Sequence, residues 1–499
     1  MSRLLRVRRS LLLTGAFVLF LAVLPATGAA AVPPAQSTGG WTMPRLTVEG
    51  QAITDVDGRA VLLRGANFNK LAEYAQNDPP LPTVVPMDGT EFARMARLGF
   101  NVVRLNLSWS ALEPAPGAFD QAYVDRIRDA VQRAKEHGIY TVLDMHQDAW
   151  GPAVGTPDGV ACPPGMQPGF GWDGAPAWAT LTDGWTTCTI GDLRESAPAV
   201  ARAFQNFYDN VNGIQDHLVA TWARLAAEFK NEPAVAGYDL LNEPNPGLRG
   251  PVAAADQLGR FYQRAIGAIR AAEQGGFEHL VFFEPSAIWS GIGVDALPPP
   301  QYLTDPLLVF SPHLYAESIL LSSDFPTIDQ GFELAMAAAD VYGAPMWTGE
   351  WGWWGDPAVE AAQVDRFVDD LDRYRTGGAW WSWVQACGDP HAVRDGNTEK
   401  PQGNLNAIDC PSGAPLGLVE DFARPLSRAY PRAAPGLTEV EDGGFAGTGA
   451  GLVEAWYPGA ERPRLTTTNV DGVDLARIDG GWRLTGEATG DYSVATQAG

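Results

Sequence analysis

Short β-rich runs alternate with longer helical patterns over most of this chain, and this alternation constrains the fold more than any other feature. It runs from Leu46 to Ser427 and indicates βα units around a parallel sheet. Eight of the runs are predicted strands of that sheet, the number that a closed barrel needs. We therefore predict an α/β fold, a (β/α)8 TIM barrel. The strands are expected at residues 61–66, 102–107, 140–144, 235–241, 280–283, 308–310, 345–347 and 378–382.

The two ends of the chain depart from this pattern. Four arginines among the first nine residues precede an apolar run and then small residues, which predicts a secretory signal peptide over residues 1–31. Residues 32–45 are expected to form a flexible lead-in, and residues 46–436 the barrel. The chain after residue 436 is rich in Gly, Thr and Val, with short alternating runs. Residues 437–499 are therefore predicted to form a small β-sandwich domain, which either binds sugar or, as we favour, braces the barrel.

The cysteines and the net charge bound the class of protein. An even number of cysteines in a chain predicted to be secreted and extracellular indicates disulfides. Of the three possible connectivities we prefer local pairing, Cys162 with Cys188 and Cys387 with Cys410. The net charge of −24 disfavours nucleic acid and anionic bilayer surfaces, because both would repel the chain. No His or Cys cluster has metal-binding spacing, so we expect no metal or other cofactor. We also expect a monomer.

Two acidic residues directly follow predicted strands. Glu243 lies in Asn-Glu-Pro after the fourth strand, and Glu350 lies in Gly-Glu-Trp-Gly after the seventh. One such residue alone is more often a solvated loop acid, but the strand ends of one barrel bring two of them together. Cleavage of a glycosidic bond with retention needs two carboxyl groups about 5 Å apart. We assign Glu243 as acid/base, with a raised pKa and an acidic pH optimum, and Glu350 as nucleophile.

Four further residues have chemistry that suits such a pair. Asn242, just before the acid, can hydrogen-bond the 2-hydroxyl of a sugar. Tyr315 and Arg104 can hold the charge of Glu350, and Arg104 would keep that carboxyl ionised. Trp381 lies on the eighth strand, where its ring can form the floor under the cleaved sugar. These residues are therefore predicted to complete a sugar-cleaving site.

Other polar and aromatic residues follow strands or lie in long loops. His146, Asp148 and His313 come directly after strands three and six, and without a metal spacing their best role is to bind sugar hydroxyls. Several loop aromatics, exposed together, would form an apolar rim suited to a lipid. These aromatics are Phe170, Trp172, Trp353 and Trp354.

Several stretches resemble the endoglycoceramidases of glycoside hydrolase family five. They include Leu-Arg-Gly-Ala-Asn at 63–67, Leu-Asp-Met-His-Gln-Asp at 143–148, Ala-Pro-Ala-Trp-Ala at 175–179, Asp-Leu-Leu-Asn-Glu-Pro at 239–244 and Pro-His-Leu-Tyr at 312–315. The resemblance extends over residues 46–436. It implies cleavage of the bond between oligosaccharide and ceramide through a covalent glycosyl-enzyme. On that pattern the sugar site is lined by His146, Asp148, Trp178, Asn242, Tyr315 and Trp381, with Lys70 reaching it from the first loop.

Two departures from that family pattern bear on the substrate. The loop at residues 67–70 is short, and residues 349–354 are unusually rich in tryptophan. A member that prefers galactosylceramide-type glycolipids fits both, and its substrate in micelles or membranes implies transient contact with a lipid surface. Two alternatives stay open. A β-glucanase or β-mannanase would have an open polar cleft, and a non-catalytic sugar- or lipid-binding protein would keep the barrel without turnover.

Overall fold

The computed structural model describes residues 40–191, 193–293, 295–319, 326–394, 396 and 400–497, which belong to one compact unit. The predicted signal peptide and most of the predicted lead-in lie outside the described residues. Among the residues described, no helix is both long and apolar enough to cross a bilayer.

The regular elements of the described residues follow in chain order. The strands are β1 (Leu46–Glu49), β2 (Ala52–Asp55), β3 (Arg59–Val61), β4 (Arg64–Phe68), β5 (Val102–Ser108), β6 (Tyr140–His146), β7 (Val235–Asp239), β8 (Leu280–Phe283), β9 (Leu308–Phe310), β10 (Thr348–Trp351), β11 (Gly378–Trp380), β12 (Asn406–Ile408), β13 (Pro415–Leu418), β14 (Tyr430–Pro435), β15 (Leu437–Glu441), β16 (Gly444–Gly447), β17 (Ala450–Pro458), β18 (Leu465–Ile478) and β19 (Gly481–Thr496). The α-helices are α1 (Glu91–Ala96), α2 (Trp109–Leu112), α3 (Gln121–Glu136), α4 (Pro198–Tyr208), α5 (Ile214–Phe229), α6 (Pro251–Ala272), α7 (Ala287–Ile292), α8 (Ile328–Tyr342), α9 (Pro357–Arg373), α10 (Pro390–Arg394) and α11 (Glu420–Leu426).

Strands β4 to β11 form the predicted (β/α)8 barrel. They pair in parallel in the order β10-β11-β4-β5-β6-β7-β8-β9. The ring closes through isolated parallel bridges of Phe310 with Met346 and of His313 with Glu350. The strands are packed closely at β7, because a Cβ on Gly237 would lie 2.2 Å from the carbonyl oxygen of Leu280 on β8. The fold class is thus confirmed, and the carboxyl ends of all eight strands meet at one mouth.

Two predicted strands are displaced in the structure. The seventh is at β10, so Glu350 lies within the strand and not after its end. The first barrel strand is β4, while Val61 ends β3 in a different sheet. Both predictions relied on a run of apolar residues, which marks where the chain enters the core. The paired strand extends further along the chain than that run, toward the barrel mouth, and includes polar residues.

The strands outside the barrel, apart from the separate pair β12 and β13, form an antiparallel sheet with its own apolar core. Its order is β1-β2-β3-β14-β17-β19-β16-β15, with β18 paired to β19, which accords with the predicted C-terminal β-sandwich. This sheet contacts the barrel at Gly99, whose carbonyl accepts a 2.8 Å bond from the Tyr430 hydroxyl, and at Gly138, whose carbonyl accepts one from Arg432. Both glycines precede barrel strands, so the sheet lies against the barrel floor, opposite the mouth.

A long irregular insertion connects β6 to α4 at the barrel mouth. It contains the disulfide Cys162–Cys188, which closes a sequence separation of 26 residues. A second disulfide, Cys387–Cys410, links the segments after β11. Both predicted pairings are confirmed. The first disulfide closes the insertion on itself, and the Ser110 N–H, just after β5, donates a 2.8 Å bond to the Gly174 carbonyl, which holds the insertion at the mouth.

Candidate active site

Glu243 lies just beyond the end of β7, in an unusual backbone conformation. Its φ is 38°, in the left-handed region that non-glycine residues seldom adopt and that costs on the order of 1–3 kcal/mol. Its backbone N–H donates a 2.8 Å hydrogen bond to Glu284 Oε2, after β8. The neighbouring strand thus holds a strained turn that aims the Glu243 side chain into the mouth.

The Glu243 and Glu350 side chains meet at His313. A carboxylate oxygen of each lies within 4.8 Å of the other. His313 Nδ1 is 2.9 Å from Glu243 Oε1 and 3.4 Å from Glu350 Oε2. A Cβ on Gly349 would lie 3.1 Å from the His313 ring, so a glycine before Glu350 lets the imidazole sit between the acids. This spacing suits a retaining mechanism, in which the carboxyl groups are about 5–5.5 Å apart.

Glu350 is held by the two partners that the sequence predicted. Arg104 Nη1 donates to Glu350 Oε1 at 2.7 Å, and the Tyr315 hydroxyl donates to Oε2 at 2.8 Å. Arg104 is fully buried and also contacts Asp239 and Asn242. Since no substrate could reach it, Arg104 acts from below by fixing the orientation of the Glu350 carboxylate.

The environment of Glu243 favours its ionised form. Burial raises the pKa of Glu243, but the hydrogen bond with His313 and the positive charge of Arg194 outweigh it, and the pKa falls to about 2. Arg194 Nη2 donates to Glu243 Oε2 at 2.6 Å. The raised pKa expected of an acid catalyst is therefore absent from the site as it stands, and acid catalysis requires this environment to change when substrate binds.

A cavity of about 370 Å³ opens above the two acids. On one side, Trp381 stacks on His146 at 5.3 Å, and His391 lies 5.5 Å from Trp381. Burial lowers the pKa of His146, but Asp144 and Asp148 raise it well above its usual value. His146 Nε2 and Asp148 Oδ2 are both buried and lie 3.6 Å apart. His146 thus holds the Asp148 carboxylate, which itself lines the cavity.

Comparison with known proteins decides the family. The sequence profile of the Cellulase (glycosyl hydrolase family 5) family matches residues 87–386, more than half of the chain. The chain belongs to glycosyl hydrolase family 5. It is accordingly a glycoside hydrolase, and the acids at β7 and β10 are its expected pair.

Three individual relatives allow a closer comparison than the family as a whole. It is 72% identical to a crystal structure of endogalactoceramidase, over 91% of this chain and 100% of that one, with a TM-score of 0.90. A ganglioside GM3 complex of endo-glycoceramidase II from Rhodococcus sp. has a TM-score of 0.69 at 27% identity, over 90% of this chain and 100% of that one. Endoglycoceramidase I of Rhodococcus hoagii (strain 103S) is 32% identical over 54% of this chain and 52% of that protein. The hydrolase spans about half the length of the curated relatives it matches.

Three predicted sugar-site residues have other partners in the hydrolase. The Lys70 ammonium pairs with Glu91 and donates to the carbonyl of Pro86, so the short first loop turns it away from the acids. Trp178 Nε1 donates to the Glu113 carbonyl, and its ring packs elsewhere, on Trp109 and His217. His313 is fully buried between the acids and so bridges carboxylates instead of binding hydroxyls. The family resemblance predicted the roles of Lys70 and Trp178, and the position after a strand predicted that of His313, but neither signal predicts these local contacts.

The predicted aromatic rim is also smaller than expected. Trp353 is buried against Trp351, and Trp172 is buried against His391. Phe170 and Trp354 are half-buried, and Trp354 lines the cavity. The exposed apolar side chains at the cavity are Leu193 (62% exposed) and Ile319 (58%). Ordinary aliphatic residues thus make much of the apolar mouth.

Three residues that the sequence did not reveal contribute to the site. Arg194 comes from the insertion, Glu284 follows β8, and His391 lies on α10 with its Nδ1 2.8 Å from Asp389. Glu284 follows a predicted strand directly, as Glu243 does, and that signal could have found it. Arg194 lies in a loop whose sequence has no hydrophobic periodicity, so the sequence does not indicate which way its side chain points.

Proposed function

We propose that this hydrolase is an endo-acting glycosphingolipid hydrolase, which cleaves the β-glycosidic bond between glycan and ceramide and retains the anomeric configuration. The relation to endogalactoceramidase over nearly the whole chain carries the proposal. The spacing of the two acids supports retention. The apolar mouth beside a polar pocket supports a substrate with a sugar at one end and a lipid at the other.

In the first step Glu350 attacks the anomeric carbon. The bond from that carbon to the ceramide oxygen breaks, and the oxygen takes its electron pair and the proton of Glu243. The sugar is left as an ester on Glu350. Arg104 and Tyr315, which donate hydrogen bonds of 2.7 and 2.8 Å to Glu350, orient the attacking carboxylate.

In the second step water replaces ceramide. Glu243, now ionised, accepts a proton from the water, whose oxygen attacks the anomeric carbon. The ester bond breaks and its electron pair returns to Glu350. Two displacements restore the original configuration and release an intact glycan.

We propose a galactosyl-linked ceramide as the preferred substrate. The endogalactoceramidase name of the 72%-identical structure supports this preference. Leu193, Ile319 and Trp354 would contact the lipid tails, and the protein would touch the micelle or membrane surface only transiently. The net charge of −24 means that this contact depends on apolar burial and not on attraction to anionic lipid.

Product analysis tests the proposal. The protein should release intact glycan and free ceramide from a galactosyl-linked glycosphingolipid, at least about tenfold faster than from a glucosyl-linked one, since a pocket that hydrogen-bonds one hydroxyl epimer discriminates against the other. Mass spectrometry of both products is the measurement. Proton NMR of the fresh products should show the β-anomer first.

The two alternatives give different outcomes in the same assay. Release of sugar from soluble β-glucan or β-mannan but not from glycolipid would identify a polysaccharide hydrolase and overturn the proposal. Binding of glycolipid without either product would identify a non-catalytic protein.

We further propose that the protein is secreted. The charge and hydropathy pattern of residues 1–31 supports this, and so do the two disulfides, which persist in oxidising compartments. Protein expressed from the full reading frame should appear in the medium with its N-terminus near residue 32 by mass spectrometry. Intracellular protein with an intact N-terminus would contradict this.

A further inference from the structure

One arginine joins the acid/base to the sugar pocket. Arg194 Nη2 lies 2.6 Å from Glu243 Oε2, and Nη1 lies 2.7 Å from Asp148 Oδ1. Its guanidinium also lies 4.9 Å from the centre of the Trp172 ring. The backbone of Arg194 is in a short 3₁₀ turn, Arg194–Ser196, just before α4. A well-anchored residue thus extends a long side chain across the cavity.

The two oxygens of Glu243 are not equivalent. Oε1 is bonded to His313, which is fully buried. Oε2 is therefore the oxygen available to the cavity, and it is the one that must meet the glycosidic oxygen of a bound substrate. Arg194 Nη2 occupies that place. A guanidinium nitrogen and a glycosidic oxygen cannot both lie within hydrogen-bond distance on the same side of Oε2.

We propose that Arg194 is an exchangeable counter-ion of Glu243: it leaves Oε2 when the substrate enters and returns after ceramide has left. Its departure allows Glu243 to carry the proton for the first step. Its return keeps Glu243 ionised for the second step, when it must accept a proton from water. Arg194 is thus a positioning residue, and the inference rests on the retaining mechanism proposed above.

The contacts of Arg194 allow such an exchange. Asp148 and Glu195 lie 2.7 and 3.3 Å from the same guanidinium, so when Arg194 gives up Glu243 two other carboxylates are near enough to pair with it, and it need not become an unpaired buried charge. Glu195 is itself fixed, because its Oε2 accepts a 2.8 Å bond from Asn245. The motion required is a change of side-chain rotamer and not a movement of the insertion.

The other titratable groups around Glu243 come from the strand ends and from the insertion. They are His313 and Tyr315 after β9, Glu350 on β10, Glu284 after β8, Asp148 after β6, and Arg194 and Glu195 from the insertion. In the glycosyl-enzyme Glu350 is an ester and has lost its charge. His313 is locked between buried carboxylates, so among these groups Arg194 is the cation whose distance to Glu243 can change.

The pH dependence of the second step tests this role. With a 2,4-dinitrophenyl β-glycoside the first step needs no acid, so a burst of dinitrophenolate is expected and kcat reports hydrolysis of the glycosyl-enzyme. In that hydrolysis step the general base must be ionised. Because Glu350 is esterified in the glycosyl-enzyme, Glu243 is the one of the two acids that can still gain or lose a proton. Loss of an adjacent cation raises the pKa of a carboxyl. Arg194→Gln should therefore move the acidic limb of the profile of kcat against pH to higher pH, by about one pH unit or more.

Matched variants distinguish this role from a structural one. Arg194→Lys keeps the charge and should shift the limb by less than Arg194→Gln. Arg202→Gln removes another paired arginine, bonded to Asp183 at the surface of α4, and should leave the limb unchanged. Azide, which attacks without a base, should restore kcat of Arg194→Gln at low pH.

The outcomes separate this inference from the proposed function. Suppose that the wild-type protein cleaves the aryl glycoside and that the acidic limb of the pH profile is the same for Arg194→Gln as for the wild type. The counter-ion role is then overturned, while the proposed hydrolase function is retained. If the wild type cleaves neither aryl glycoside nor glycolipid, the proposed function fails first. Should Arg194→Gln not fold, Arg194→Met removes the same charge and is held to the same expected shift.

Discussion

Replacing Glu350 with Gln should lower kcat/KM for glycolipid at least about 10,000-fold, as expected when a hydrolase loses its nucleophile. An amide cannot attack the anomeric carbon or leave as a carboxylate. Gln has the shape of Glu: its amide oxygen can accept the bond from Arg104, and its amide N–H can donate to the Tyr315 hydroxyl oxygen. The variant should therefore fold and bind substrate. Steady-state kinetics and thermal unfolding together measure this.

The stereochemistry of azide rescue gives a sharper form of this prediction. In Glu350→Gly, azide can occupy the space of the lost carboxylate and attack a dinitrophenyl β-glycoside directly. A single displacement inverts the anomeric carbon, so the product should be the α-glycosyl azide. Glu228→Gln, which removes a surface carboxylate that pairs with Arg128, is the control and should keep full activity. Full glycolipid turnover in Glu350→Gln would exclude Glu350 as nucleophile.

The parts of this site that the sequence predicted are those fixed by the barrel. Glu243 and Glu350 each lie at the mouth end of a strand, and the closed ring converts their distance in sequence into a few ångströms. Arg104 and Tyr315 were predictable for the same reason. Arg104 and Glu350 lie on strands, and Glu243 and Tyr315 lie within five residues of a strand end, so the barrel places all four at the mouth and their chemistry can be read from the motifs.

The parts that the sequence could not predict depend on loops. Arg194 lies at the end of an insertion whose path is set by a disulfide and by isolated contacts, so its proximity to Glu243 has no periodic signal. Lys70 is the opposite case, since the sequence did predict a role for it. Its position matches the family pattern, but its ammonium forms an ion pair with a nearby carboxylate, Glu91. An ion pair that involves a loop residue depends on a few rotamers and leaves no pattern in the sequence.

Removing Glu243 should have a different signature from removing Glu350. In Glu243→Ala, turnover of glycolipid should fall roughly 100- to 10,000-fold, the usual contribution of a general acid/base. The loss should be largest for ceramide, whose alkoxide is a poor leaving group. Formation of the glycosyl-enzyme from a dinitrophenyl glycoside needs no proton, so its burst phase should persist. Stopped-flow absorbance of dinitrophenolate measures that phase separately from steady turnover.

Azide again tests the assignment, now with the opposite stereochemistry. In Glu243→Ala the glycosyl-enzyme still forms on Glu350, and azide attacks it from the face that water would use. Two displacements retain configuration, so the product should be the β-glycosyl azide. Loss of the burst phase, or an α-linked product, would contradict the division of labour between the two acids. Opposite anomers from the two variants would place Glu350 on one face of the sugar and Glu243 on the other.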